Sequence, residues 1–432
     1  MSDAVPSAVG VVGAGYVGLP TACVLAHLGH SVVCAERDPQ RLDQLAAGRS
    51  PILEPGLEEL VSEVRAAGRL RFVRSAGEAV RGAAFVFLCV DTPQAGDGAA
   101  DLSALQAAAE EIAPALAPGA VVVNKSTVPV GTATLVKRVT GATVVSNPEF
   151  LREGTAVRDS LHPDRILVGS ADRQAARRVG ELFAGTGAPL IVTDTVTAET
   201  IKYASNAFLA IKLSFVNALA GLCESLGADV RDVVLGMGYD RRIGFDFVRP
   251  GPGWGGSCLT KDTAALVRIA DAAGYDFALL HAAIATNEEA QDRVVAKVET
   301  SAGGSLAGAT VAVWGLTFKA GTDDRRRSPA VAIARRLVAA GAAVRAFDPT
   351  VDAGAGEAAP DLSGITVCAN AYEACRDADV VALLTEWEDF RHLDLEKARG
   401  LMTRPAMVDA RNLFDPSAVR RAGFAYHGIG RP

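Results

Sequence analysis

Paired cysteines are missing from this chain. Cys23, Cys34, Cys89, Cys223, Cys258, Cys368 and Cys375 are scattered and odd in number, with no CxxC and no zinc-ligand spacing. That argues against a disulfide framework and a structural metal. No signal segment opens at Met1-Ser2-Asp3, and no apolar run reaches the roughly 20 residues of a membrane span. Both absences point to a reducing cytoplasm and no membrane partner. Excess positive charge is missing too: the net charge is -7, which argues against a nucleic-acid binder. The six histidines form no His-Glu or metal motif of a simple one-step alcohol dehydrogenase. What remains is ordinary globular composition, 49% hydrophobic and 22% charged, over 432 residues, enough for two or three domains.

The first third reads as a dinucleotide fold. An apolar run, Val9 to Val12, leads into Gly13-Ala14-Gly15-Tyr16-Val17-Gly18 and then a helical pattern to Leu28. Gly13 permits the turn, Gly15 lets a pyrophosphate approach the backbone, and Gly18 lets helix pack on strand. Tyr16 and Val17 lie inside that turn, where the helix N-terminus faces the phosphates. A second strand, Ser31 to Ala35, ends at Glu36, an acceptor for ribose hydroxyls that would repel a 2′-phosphate. NAD is therefore expected over NADP, although Arg37 beside it pulls slightly the other way. Strands at Phe85 to Val90 and Ala120 to Lys125, with a helix between from Leu102 to Leu116, imply a parallel doubly wound sheet. Val90-Asp91-Thr92-Pro93 and Lys125-Ser126-Thr127-Val128-Pro129 would line the cofactor cleft at the strand ends; the plainer reading is two proline-terminated loops.

A long helix is expected from Val196 to about Leu226, with Lys202 and Asn206 four apart on one face and Lys212 off it. Exposed polar side chains are the alternative, and the apolar length also suits a dimer surface. Arg241-Arg242-Ile243-Gly244 and Val248 to Gly256 form a Gly, Pro and Arg loop suited to a diphosphate. It ends in Gly255-Gly256-Ser257-Cys258-Leu259-Thr260-Lys261-Asp262, a thiol and a carboxylate four apart. Lys261 and a helix start there favour the thiolate; the alternative is a buried structural cysteine. The last third, with strands at Thr310 to Trp314, Ala343 to Phe347 and Val380 to Leu384, is a second Rossmann-like unit without GxGxxG. Its Arg325 to Arg327 run reads as a solvated face, and Ala353 to Pro360 as a disordered or loop segment. The fold class is α/β: two Rossmann-like doubly wound domains joined by a long central helix, divided at 1–195, 196–300 and 301–432.

These motifs together resemble the UDP-glucose/GDP-mannose dehydrogenase family. The resemblance runs from Val9 to Asp415 through GAGYVG, EPGL, KSTVPVGT, NPEFLREG, HPDRI, KYASNAF, RIG, GPGWGGSC and GLTFKAGTDD. It implies four-electron oxidation of a sugar-nucleotide C6 alcohol by two NAD, through a thiohemiacetal and thioester on Cys258. It implies that Lys202 and Asn206 stabilise oxyanions, that Asp262 assists, that Thr127 holds a water, and that Glu153 is the base for hydrolysis with Glu149 beside it. Cofactor contacts are implied at Glu36, Arg41, Val90, Thr92, Pro93, Ser126, Thr127, Glu153, Lys261 and Arg325. Substrate contacts are implied at Glu149, Phe150, Leu151, Arg152, Phe247, Gly251, Gly255, Phe318, Lys319 and Arg411. Arg242 is expected to reach the neighbouring subunit of a homodimer or an assembly of dimers.

Three departures stand out: Glu36 where Asp is usual, Arg37 beside it, and Leu259-Thr260 where Phe-Pro is common. NPEFL disfavours the 2-acetamido-sugar branch, while HPDRI and RIG disfavour GDP-mannose, so UDP-glucose is the expected substrate. The alternatives are the same chemistry on GDP-mannose or a UDP-N-acetylhexosamine, or an inactive sugar-nucleotide-binding relative.

Overall fold

The computed structural model describes residues 6–96, 99–355 and 359–431. The start at Met1-Ser2-Asp3 and the middle of the expected 353–360 loop lie outside them. The chain divides into two compact units, residues 1–205 with 264–274, and residues 206–263 with 275–432.

The first unit is built on an eight-stranded sheet: β1 (Ala8–Val12), β2 (Ser31–Ala35), β3 (Leu70–Val73), β4 (Phe85–Leu88), β5 (Val121–Asn124), β6 (Thr143–Ser146), β7 (Ile166–Gly169) and β8 (Leu190–Thr193). Its order is β3-β2-β1-β4-β5-β6-β7-β8, parallel throughout except where Ser146 meets Gly169 between β6 and β7. β4 and β5 are buried at every residue, as strands covered by helices on both faces must be. That burial explains why they read as continuous apolar runs rather than as alternating patterns. The order reverses between β1 and β4, which opens a crevice at their carboxyl ends.

The second unit repeats this plan with six parallel strands: β9 (Thr310–Trp314), β10 (Ala343–Phe347), β11 (Ile365–Val367), β12 (Val380–Leu383), β13 (Ala406–Asp409) and β14 (Ala425–Gly428). Their order is β11-β10-β9-β12-β13-β14. The reversal falls between β9 and β12. Trp314, at the end of β9, stacks on Phe390 with ring centroids 5.6 Å apart and is fully buried.

A helix of 32 residues, Thr195–Leu226, joins the two α/β units. The expected strand and helix positions hold to within a few residues. The helix expected from Leu102 to Leu116 ends earlier, at Ile112, and Ala113–Ala115 continues it as a 3₁₀ turn around Pro114. No membrane-length apolar run was expected. Nevertheless the joining helix is long and apolar enough to cross a membrane, with a mean hydropathy of 1.5 over its most apolar window. It is also the central helix of the fold, and its Lys202, Asn206, Ser214 and Asn217 are buried and hydrogen-bonded.

Candidate active site

In the first unit the glycine turn follows β1 directly. Gly13 sits at φ +98°, and a Cβ there would press on the Cys89 carbonyl. A Cβ on Gly18 would collide with the Gly13 carbonyl. Around Gly15 a Cβ would meet nothing within 4 Å. Gly13 and Gly18 thus serve the packing of this turn, whereas the open side of Gly15 suits a ligand.

Glu36 follows β2 and is buried; its Oε1 accepts from the Asp38 amide at 3.0 Å. Arg41 places Nε 3.8 Å from Glu36 Oε2 and donates from Nη2 to the Ala14 carbonyl at 3.0 Å. The guanidinium therefore ties the acid to the glycine turn. The loops after β4 and β5 are laced together: Thr92 Oγ1 donates to the Thr127 carbonyl at 2.7 Å, and Ser126 Oγ to the Val90 carbonyl at 2.7 Å. An open glycine, a buried acid at the end of β2 and two joined loops after β4 and β5 fit a dinucleotide with a free ribose 2′-hydroxyl.

Further along, Lys202 Nζ donates to Glu149 Oε1 at 2.7 Å, with both side chains at most 4% exposed. Glu149 Oε2 accepts from the Leu151 amide. Phe150 carries the Arg165 guanidinium 3.7 Å above its ring and Lys202 Nζ at 5.5 Å. Lys125 is buried on Asn147 Oδ1 at 3.1 Å, and burial lowers its pKa. Glu153, four residues after Glu149 in the chain, is also buried. Arg152 is half exposed and turned to Asp159, with Nη2 2.7 Å from Oδ1.

In the second unit Cys258 is the second residue of the helix Ser257–Ala272, where the helix N-terminus favours a thiolate. It is the one partly exposed thiol of the seven. Burial pushes the thiols of Cys23, Cys89 and Cys375 up to about 12, and also raises Cys34, Cys223 and Cys368. One helical turn on, Asp262 is fully buried, accepts from Asn206 Nδ2 at 2.5 Å and lies 3.2 Å from Lys261 Nζ. The lysine charge is thus set against Asp262.

The loop before Cys258 is held by buried polar groups. Asn217 Oδ1 accepts from the Gly251 amide, Asn287 brackets Trp254 through both its amide atoms, and Trp254 Nε1 donates to Ser214 Oγ. Phe247 turns the chain at φ +60°. Arg411 donates to the Phe318 and Leu384 carbonyls, both at 2.8 Å, and its Nη1 lies against Gly251. The Phe318 ring lies against Gly256, Lys319 Nζ stands 5.6 Å from that ring, and Gly255 abuts the Arg327 carbonyl.

Three domains of one known family match this chain in order. The NAD binding domain of the UDP-glucose/GDP-mannose dehydrogenase family matches residues 7–186, its central domain 196–289 and its UDP binding domain 312–416. This chain belongs to that family. It is 43% identical to a UDP-glucose 6-dehydrogenase of Pseudomonas aeruginosa, over 98% of this chain and 97% of that one. A UDP-glucose 6-dehydrogenase of Rhizobium meliloti is 44% identical over 98% and 99%. Among solved structures, a UDP-glucose dehydrogenase from Pyrobaculum islandicum superposes with a TM-score of 0.90 at 36% identity, covering 100% of this chain and 99% of that one.

Within this family frame, the structure gathers most of the expected residues into two groups, one in each unit. Arg242 lies outside both, with an 88% exposed side chain held on Asp240 by a bidentate contact. Arg325 pairs with Asp361, while Arg326 binds Asp324 and donates to Ser257 Oγ beside Cys258. A run of three arginines carries no signal in sequence for which of them points inward.

Two carboxylates escaped the sequence reading. Glu54 accepts from the Gly154 and Ala156 amides at 2.6 and 2.7 Å, holding the loop that carries Glu149 and Glu153. Glu199 accepts from the Gly131 amide at 2.8 Å and Ser146 Oγ at 3.1 Å. The EPGL motif pointed at Glu54 without showing what it holds, and Glu199 sits one turn before Lys202.

Proposed function

We propose that this chain oxidises the C6 alcohol of UDP-glucose to the carboxylate of UDP-glucuronate, with NAD as oxidant. One observation carries the reading: the single accessible thiol stands on the first turn of a helix, one turn before a buried aspartate hydrogen-bonded to Asn206. A dehydrogenase that stopped at the aldehyde would have no use for it. The relatives named as UDP-glucose dehydrogenases support the substrate.

NAD, when bound, would supply the hydride acceptor, and two NAD molecules would be reduced in turn for each sugar nucleotide oxidised. As hydride first leaves C6, the hydroxyl proton is lost, and Lys202 and Asn206 stabilise the oxygen. Cys258 thiolate then adds to the aldehyde carbon, forming the C–S bond, and the oxygen takes a proton to give a thiohemiacetal. Loss of that proton and of the second hydride leaves a thioester. Water held at Thr127 adds to it, with Glu153 taking its proton and Glu149 beside it. The C–S bond breaks, releasing carboxylate and Cys258 thiolate. Asp262 holds Asn206 in place through this cycle. Arg411, Phe318, Lys319 and the 247–256 loop bind the sugar nucleotide, and Glu36 with Arg41 selects NAD over NADP.

A homodimer formed through segment 196–300 is part of this reading. Phe208, Phe215 and Leu222 recur every seven residues on the long helix and are 62%, 56% and 53% exposed, an apolar stripe suited to a second copy. The exposed Arg242 would reach the partner's sugar nucleotide. Initial rates with UDP-glucose, GDP-mannose and UDP-N-acetylglucosamine test the assignment. It requires kcat/KM for UDP-glucose to exceed the others by at least about a hundredfold; a higher value for either competitor would overturn it.

A further inference from the structure

Glu199 and Asn124 have no part in the chemistry above, yet both line one small cavity in the first unit. Its volume is about 10 Å³, and its lining includes Asn124, Ser126, Thr127, Ser146, Glu199 and Lys202. Asn124 ends β5 and is 2% exposed. Among the described residues neither its Nδ2 nor its Oδ1 has a hydrogen-bond partner. A buried amide left unpaired is costly, so a native fold normally satisfies it with protein or ordered water. The cavity volume is close to the roughly 10–15 Å³ that one water requires, and the lining is polar enough to hold it.

Glu199 supplies the second half of the argument. Its carboxylate is 3% exposed and ties the helix Thr195–Leu226 to Gly131, at the far end of the Thr127 loop, and to Ser146 at the end of β6. Burial raises its pKa, despite the hydrogen bonds it accepts. Lys202 lies three residues on, and Thr127 borders the same cavity.

We propose that this cavity is a site for one buried water, and that Asn124 and Glu199 are positioning residues that use it to fix the Thr127 loop against the helical turn bearing Lys202. The water hydrogen-bonds the Asn124 amide on one side and the Glu199 and Ser146 oxygens on the other. The consequence for rate rests on the roles given to Thr127 and Lys202 above; the water site itself does not.

The test has two arms. A crystal structure of the full chain with NAD, at about 1.6 Å, shows density for one water within hydrogen-bond reach of Asn124 and Glu199 if the proposal is right. Absence of that density overturns it. In the second arm, Asn124→Leu keeps the shape and removes the hydrogen bonds. Its kcat falls about tenfold, with KM for UDP-glucose and NAD unchanged, as for other outer-shell positioning groups. Its melting temperature does not fall. Glu199→Gln, which keeps an acceptor for the Gly131 amide and offers its NH2 to Ser146 Oγ in a reversed hydrogen bond, retains kcat. Wild-type kcat in Asn124→Leu would overturn the positioning role. Should UDP-glucose prove not to be the substrate, the crystallographic arm stands, and kcat is read on whichever sugar nucleotide reduces NAD.

Discussion

Glu149 and Lys202 form a buried ion pair at 2.7 Å, 53 residues apart in the chain. Removing one partner strands the other's charge in the interior, at a cost of about 3–5 kcal/mol. Lys202→Met and Glu149→Gln are each expected to lower the melting temperature. The double variant is expected to be more stable than the sum of the two predicts, because no charge is left unpaired. Thermal melts of the four proteins check this. Lys202→Met and the double variant are also expected to lose at least about a hundredfold in kcat, the usual cost of an oxyanion donor.

Thiol labelling follows from burial. Of seven cysteines only Cys258 is partly exposed, while burial holds the other six in the unreactive thiol form. Iodoacetamide at neutral pH is expected to place one adduct on the folded protein, at Cys258, with activity lost in step. Peptide mass spectrometry locates it, and a first adduct at any other cysteine would contradict the structure.

The glycine turn makes a divided prediction. Gly15→Ala adds a methyl group where nothing lies within 4 Å, so the melting temperature is expected to hold or rise slightly while NAD affinity falls. Gly18→Ala drives the same methyl into the Gly13 carbonyl and is expected to destabilise the fold with or without NAD. Calorimetric titration and thermal melts separate the two.

This contrast shows what was legible in the sequence. Strand, glycine turn and helix are contiguous, and each glycine's role follows from local geometry, so the nucleotide fold could be read directly. Cys258 and Asp262 were legible for the same reason, since a four-residue spacing on a helix needs no tertiary knowledge. Glu54 holding Gly154 and Ala156 across 100 residues, and Glu199 holding Gly131 across 68, depend on how distant segments pack. Neither contact has a local signature. Arg325 and Arg326 differ only in which way the chain turns after Asp324, which three arginines in a row conceal.

Stability against pH offers a check on Glu199. Burial raises its pKa above the ordinary 4.5, so the native state binds its proton more tightly than the unfolded chain does. That contribution is fully present below 4.5 and is lost as pH rises through the folded pKa. Glu199→Gln cannot lose it. Its melting temperature relative to the parent is therefore expected to rise as pH increases from 4 toward neutrality and then level off. A difference independent of pH would contradict the stated environment of this carboxylate.

The central claim is that Cys258 carries the substrate through both oxidations. The most direct test is an endpoint count of NADH formed from limiting UDP-glucose in excess NAD. The account predicts two NADH per UDP-glucose, and no stoichiometric formation of UDP-glucuronate by Cys258→Ala. One NADH per sugar, or an unchanged yield from Cys258→Ala, would contradict it.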